Sequence, residues 1–319
     1  MEAKPDPLLP YPWQQDCWDR LHRQKMEGRL PHAILLQGVI DSGVDRFSLL
    51  LAQALLCESP QNHLPCSHCR SCHWWSVGSH PNFQRITPEV MESGKLSRVI
   101  KIDQVREMMG KVQQTSFQQG RKVLVIYPAE VMNPNAANAL LKNLEEPPAH
   151  TNFILAANNP SRLMATIRSR CQKIDVPLPS IKEADRWLMP FIQDAAQRET
   201  LLALSAGNPL LVKQWQDENF LDEVLDLGEK LLQVREGRAS PLQVAAQWHK
   251  QGALSHIAGW WRWLSLDIKA KAHSADATKA LLRFMDQLLV ARRQLESTAN
   301  PNEQLLLESL LIDWQNLRP

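Results

Sequence analysis

The sequence predicts an α/β domain built on a parallel sheet, followed by regions made almost wholly of helices. Three observations predict it. A short apolar run at 33–37 leads into a glycine loop and then a helix-patterned stretch at 45–56, the layout of a phosphate-binding loop. Further apolar runs at 123–126 and 153–157 alternate with helical faces, the pattern of a parallel sheet covered by helices. After Cys171 the strand signal almost vanishes. The expected division is an α/β domain over 1–175 with a cysteine-rich insert at about 57–82, a small helical domain over 176–217, and a second helical domain over 218–319.

Taken in order, residues 13–26 carry an amphipathic helix that Gly28 breaks. The run 33–37 passes into Gly38-Val39-Ile40-Asp41-Ser42-Gly43, and Phe47, Leu50, Leu51 and Ala54 then share one side of a helix. Ile100 and Ile102 suggest a strand edge, and Val105, Met108, Met109 and Val112 give another helical face before Gly120 turns the chain. Asn133 is suited to cap a helix with Pro134 at its first position, and Pro147-Pro148 stops it. Between them Ala137, Leu140, Leu141 and Leu144 fall on one face. The strand 153–157, a turn at Asn158-Asn159-Pro160 and a short helical segment ending in Ser169-Arg170-Cys171 follow.

Pro177 and Pro179 mark a boundary. A helix over 199–206 ends at Gly207, and Asn208-Pro209 opens the next. Further on, Leu254, Ile257, Ala258, Trp261, Leu264 and Ile268 repeat at helical spacing, as do Leu281, Phe284, Leu288 and Ala291. The stretch Asn300-Pro301-Asn302-Glu303 makes a cap for a last helix reaching Trp314.

Composition narrows the classes. Of 319 residues, 44% are hydrophobic and 22% charged, the mix of a globular protein with room for two or three cores. The net charge of 36 − 34, or +2, gives no support for a nucleic-acid binder acting through bulk electrostatics. The opening residues MEAKPDPLLP are acidic and proline-broken, unlike a signal peptide, and no apolar run nears the ~20 residues of a membrane span. Four of six cysteines cluster between Cys57 and Cys72, which suggests metal in a reducing, cytoplasmic compartment rather than disulfides.

Two constellations carry chemistry. Cys57, Cys66, Cys69 and Cys72 offer four soft ligands in overlapping C-x2-C pairs, a closed set suited to structural zinc. His63, His68 and His73 interleave and could replace one of them, while unconnected thiols or C-x-x-C redox exchange are the alternatives. Gly38 and Gly43 keep the spacing of a phosphate loop, but Val44 stands where lysine should bind phosphate and Asp45 where a hydroxyl should hold magnesium. A carboxylate there repels phosphate by about 1–4 kcal/mol. Cys17, beside Trp13 and Trp18, reads as packing, Cys171 as a small buried residue, and the tryptophan-rich stretch Trp260, Trp261 and Trp263 as core or interface rather than base-stacking platforms. By spacing alone Arg170 is an ordinary surface arginine or a salt-bridge member, with Arg168 its neighbour.

ALLKNLEEPP, followed by the FILA strand and by SRC, resembles the clamp-loader branch of the AAA+ family, from about Tyr11 to Asn208 and more weakly to Trp314. The resemblance implies that 1–175 is an AAA+ domain carrying a zinc module, 176–217 its helical lid, and 218–319 a collar that joins subunits into a ring. In active relatives an apolar strand ends in Asp-Glu, where this chain has Tyr127-Pro128, with Glu130 displaced along the turn. Leu210 stands where related ATPases carry a lid arginine. The resemblance implies a subunit of the bacterial DNA polymerase III clamp loader, and losses in three motifs imply that it does not hydrolyse ATP; no ATP of its own is expected, with residual nucleotide binding left open. Arg170 of Ser169-Arg170-Cys171 would then reach the ATP of an adjacent subunit in trans. Implied partners are the gamma/tau ATPase subunits and delta, with the sliding clamp and primer-template DNA met through the complex. Glu145 and Glu146 read as structural or interface residues rather than an acid/base pair. Rival readings are an active P-loop ATPase acting on nucleic acid, and a zinc-dependent nucleic-acid-binding module.

Overall fold

In a computed structural model, the structure describes residues 9–90, 97–114, 120–218, 220–270, 274–296 and 301–317. The first eight residues of the acidic opening and Asn300 of the last cap lie outside the described residues. The chain forms two compact units, Met1–Leu178 and Pro179–Pro319, and the break falls between the two prolines that cannot continue a strand ladder or helix.

The first unit runs α1 (Gln15–Met26), β1 (Ala33–Gln37), α2 (Val44–Leu56), α3 (Arg70–Ser76), β2 (Phe83–Ile86), α4 (Ile102–Gln114), β3 (Lys122–Ile126), α5 (Pro134–Glu145), β4 (Thr151–Ala157), α6 (Ala165–Arg168) and β5 (Gln172–Asp175). The strands form a parallel sheet ordered β2-β3-β4-β1-β5. β1 lies beside β4 with Ile34 opposite Ile154, so two strands distant in sequence make the centre. Both faces are covered, which is why the strand sequences are continuous apolar runs rather than alternating ones. Leu35, Leu124, Phe153 and Leu155 face a core with Val105, Met108, Leu140 and Ile167, while Ile34, Leu36, Val123 and Ile154 face one with Trp18, Phe47 and Leu50.

α5 begins as its sequence demands: the Asn133 side chain accepts from the Ala136 N–H at 2.8 Å, Pro134 takes the first turn, and the helix ends before Pro147. One expectation needs correction. Ile100 makes an isolated parallel bridge to Met132, but Ile102 starts α4 and is not part of a strand. The apolar spacing from Ile102 to Val105 and Met109 already belongs to that helix, so the pair straddles a boundary.

The second unit is helical among its described residues: α7 (Ile181–Leu188), α8 (Ala195–Leu204), α9 (Pro209–Asp217), α10 (Leu221–Arg235), α11 (Pro241–Gln251), α12 (Ala253–Ala270), α13 (Ala275–Glu296) and α14 (Glu303–Gln315). Two apolar clusters divide it. One gathers Ala184, Leu188, Leu201, Val212 and Trp215; the other gathers Trp248, Ile257, Trp260, Leu288 and Trp314. α8 starts and stops earlier than its apolar pattern suggests, because Asp194 caps its start through the N–H groups of Ala196 and Gln197. Ala206 and Gly207 then take left-handed conformations, with φ of 55° and 80°. On α12 the buried stripe is rotated from the expected one: Trp260 is fully buried, while Leu254 is exposed and Trp261 half-buried. Gly228 permits this packing, since a Cβ there would meet the Trp263 ring nitrogen at 2.2 Å.

Candidate functional site

A phosphate loop works by leaving its interior empty, so that backbone N–H groups converge on an anion. Here a buried valine side chain packs against the first glycine of the loop. Gly43 adopts φ of 80° and caps α2, and Val44, the first helical residue, is 1% exposed. Its Cγ2 lies 2.1 Å from where a Cβ on Gly38 would sit, and Ser42 Oγ lies 2.6 Å away. The Gly38 N–H is spent on the Ala157 carbonyl at 3.1 Å, and that of Ser42 on Val39 at 3.1 Å. A side chain that would carry charge to a phosphate is replaced by one that closes the loop onto the core.

Asp45, one residue further, is held by Arg85 of β2, whose Nη2 donates to both carboxylate oxygens at 2.8 and 2.7 Å. Burial pushes the Asp45 carboxyl up, and the Arg85 guanidinium pulls it back down. At the end of β3, Tyr127 precedes Pro128 through a cis peptide, and its hydroxyl accepts from Asn158 Nδ2 at 3.0 Å. Burial raises the Tyr127 pKa. Glu130 Oε1 accepts from the backbone N–H groups of Asn158 and Asn159, both at 3.0 Å, so this carboxylate caps the turn after β4. Leu210 sits in the first turn of α9, its N–H bonded to Asn208 Oδ1 at 3.1 Å.

The insert between α2 and β2 brings Cys57, Cys66, Cys69 and Cys72 together with all four Sγ atoms within 4.8 Å of one another. The Cys57–Cys69 and Cys66–Cys72 sulfur pairs are each 3.9 Å apart. Tetrahedral zinc with bonds of about 2.3 Å needs sulfurs ~3.8 Å apart, so these two pairs match its spacing and the four-sulfur set could hold a metal ion. Backbone N–H groups of Cys66, Cys69 and Cys72 donate to the sulfurs of Cys57, Cys66 and Cys69 at 3.3, 3.3 and 3.4 Å. Burial raises the Cys66 thiol, but the N–H groups of His68 and Cys69 outweigh it and bring the pKa to about 7. His63 leaves the cluster to pack on His22, and His68 bonds the Cys66 carbonyl through Nδ1 at 2.6 Å; the described ligand group holds no histidine.

A strut behind the cluster went unread in the sequence. The Asn82 N–H donates to His80 Nδ1 at 3.1 Å, so Nε2 carries the proton and donates to Ser71 Oγ at 2.7 Å. Ser71 in turn donates to the Leu56 carbonyl at 2.7 Å. These bonds tie the residues next to Cys57 and Cys72 to the exit of the insert.

Arg170 lies just past α6. Its Nε donates to Glu145 Oε1 at 2.7 Å, its Nη2 pairs with the same oxygen, and its Nη1 donates to the Thr166 carbonyl at 2.9 Å. The side chain is 35% exposed. Within this chain Arg170 is therefore a salt-bridge member, as its spacing alone suggests. Arg168 points differently: its Nε is buried and has no hydrogen-bond partner among the described residues. Cys171 is buried, and burial pushes its thiol up to about 12, which leaves it inert at neutral pH. Cys17, buried beside Trp13 and Trp18, packs in the core of the first unit.

The parallel sheet, the phosphate-loop spacing with valine and aspartate in place of lysine and a hydroxyl, and the cysteine-bearing insert define a helix-covered α/β domain of the phosphate-loop type. Residues 13–180 match the family described as DNA polymerase III, delta subunit, and residues 267–316 match its C-terminal part. The chain is 35% identical to the DNA polymerase III subunit delta' of Pseudomonas aeruginosa over 96% of this chain and 98% of that one. It is 39% identical to the delta' subunit of Escherichia coli over 62% of this chain and 58% of that one. A gamma subunit-related protein from Thermotoga maritima shares the fold, with a TM-score of 0.56 at 19% identity, covering 94% of this chain and 99% of that one. The chain belongs to the DNA polymerase III delta' family. Among the described residues no helix is long and apolar enough to cross a membrane.

Proposed function

We propose that this chain is the non-hydrolysing member of a ring that loads the sliding clamp onto primed DNA, and that it donates Arg170 in trans to a neighbouring ATPase subunit. The observation that carries the reading is Val44 packed inside the phosphate loop, with Asp45 neutralised by Arg85. Without the lysine, and with a paired carboxylate in place of the hydroxyl, the loop lacks the groups that hold a nucleotide triphosphate and its magnesium. The same degeneracy counts against an active P-loop ATPase. Partners would be the gamma/tau ATPase subunits and delta, with clamp and primer-template reached through the assembly. Within the chain, 176–217 would serve as lid and 218–319 as collar. The four cysteines would hold structural zinc, whose role is to fix the insert, since a four-thiolate site leaves no position for a reacting water.

Titration of the pure chain with a fluorescent ATP analogue and magnesium tests the nucleotide part of this reading. No saturable binding at millimolar nucleotide is expected. Saturable binding that Gly43→Val abolishes would overturn it.

A further inference from the structure

Glu145 is the last residue of α5, where the following Pro147 ends the helix and Leu144 is anchored in the core. Arg170 belongs to a different element, 25 residues on, yet the two side chains meet. A guanidinium has two forks: the side-on edge of Nε and Nη2, and the end-on edge of Nη1 and Nη2. A single oxygen of Glu145 takes the side-on edge, bonded to both Nε and Nη2. The Thr166 carbonyl takes one proton of Nη1. Nη1 also reaches Ser169 Oγ at 3.5 Å, so four of the five N–H groups have contacts and the end-on proton of Nη2 is left for an outside anion. An arginine on a flexible stem must give up rotamer freedom when it binds; one held at one edge loses that freedom before the partner arrives.

We propose that Glu145 is a positioning residue for Arg170: it holds the guanidinium by one edge so that the other is presented to the phosphoryl group of a neighbouring subunit. This rests on the reading of Arg170 as a residue acting in trans. The Glu145 side chain is half solvent-exposed, at 49%, so the pair adds little to folding and its use lies in orientation. The carboxylate itself stays clear of the phosphate, because the guanidinium stands between them.

The test is clamp- and DNA-stimulated ATP turnover by the complete reconstituted complex carrying Glu145→Ala, Glu145→Gln, Arg170→Ala or the double Glu145→Ala/Arg170→Ala change, with assembly checked for each. Glu145→Ala is expected to lower kcat roughly 3- to 30-fold with KM nearly unchanged, because misplacing a group by about 1 Å costs up to ~10²-fold. Glu145→Gln should recover much of the loss, since its amide oxygen still accepts from Nε and its size keeps the helix end intact. The double variant should be no slower than Arg170→Ala. Additive losses in the double variant, or full turnover in Glu145→Ala beside an impaired Arg170→Ala, overturn the role of Glu145 and leave the trans arginine standing. Full turnover in Arg170→Ala overturns both.

Discussion

Arg85 of β2 reaches across 40 residues of sequence to grip the carboxylate of Asp45, the residue that stands where a phosphate loop needs a hydroxyl. The pair converts a catalytic position into a brace between α2 and the sheet. Its side chains are about one-third exposed, at 34% and 32%, so its worth is modest. A double-mutant cycle of Asp45→Asn and Arg85→Gln should give a coupling of about 0.5–1 kcal/mol at pH 7. The coupling should shrink as pH falls through the raised Asp45 pKa, because the protonated carboxyl loses the ion pair. A coupling independent of pH would mean that the contact is not ionic. Val44→Lys tests the same closure from the other side: forcing an ammonium into a site that is 1% exposed should destabilise the fold by about 3 kcal/mol or more and create no ATPase.

For the metal centre, carefully prepared protein should carry about one zinc per chain. Cys69→Ser should lower metal content and melting temperature together, because ligand binding free energy in a closed site is folding free energy. Elemental analysis that finds no zinc, with stability unchanged by chelator, would remove the structural role.

The His80 strut carries a pH signature. Burial lowers the His80 pKa below its ordinary 6.5, with Glu58 pulling weakly the other way. The unfolded chain then binds more protons than the folded one between the depressed value and about 6.5. Stability from this group is therefore full above about pH 6.5 and lost as pH falls through the folded pKa. Protonating Nδ1 would also cost the bond from the Asn82 N–H. An NMR titration of the His80 ring should place its midpoint below 6.5; a midpoint above that value contradicts the strut.

Much of this architecture is legible in the sequence because local chemistry decided it. β1 keeps the limits of its apolar run because it is buried on both faces, and α5 keeps its Asn133-Pro134 start because cap and proline act within one turn. The four cysteines were readable from spacing alone. What stayed hidden depends on partners remote in sequence. Nothing near Asp45 points to Arg85, and nothing near Arg170 points to Glu145, since periodicity describes one element and these pairs join two. In the sequence Glu130 is only an acid displaced along the turn after β3; its use as the cap of the Asn158-Asn159 turn comes from strand order, which places β3 beside β4. On α12 the apolar residues nearly encircle the helix, so the choice between Trp260 and Trp261 was settled by the neighbours, not by the pattern.

The most direct test of the central claim, that this chain completes a neighbour's site while its own is closed, is ATP turnover by the reconstituted complex with Arg170→Ala beside Arg168→Ala. Arginines acting in trans contribute ~10³ to 10⁵ in rate at the site they serve, but only the adjacent site sees this one, so total turnover should fall by less. Arg170→Ala should leave assembly intact and sharply reduce clamp loading, Arg170→Lys should rescue poorly for want of the planar fork, and Arg168→Ala should have the smaller effect on loading. Full loading and turnover with Arg170→Ala, alongside collapse with Arg168→Ala in an assembled ring, would contradict the account.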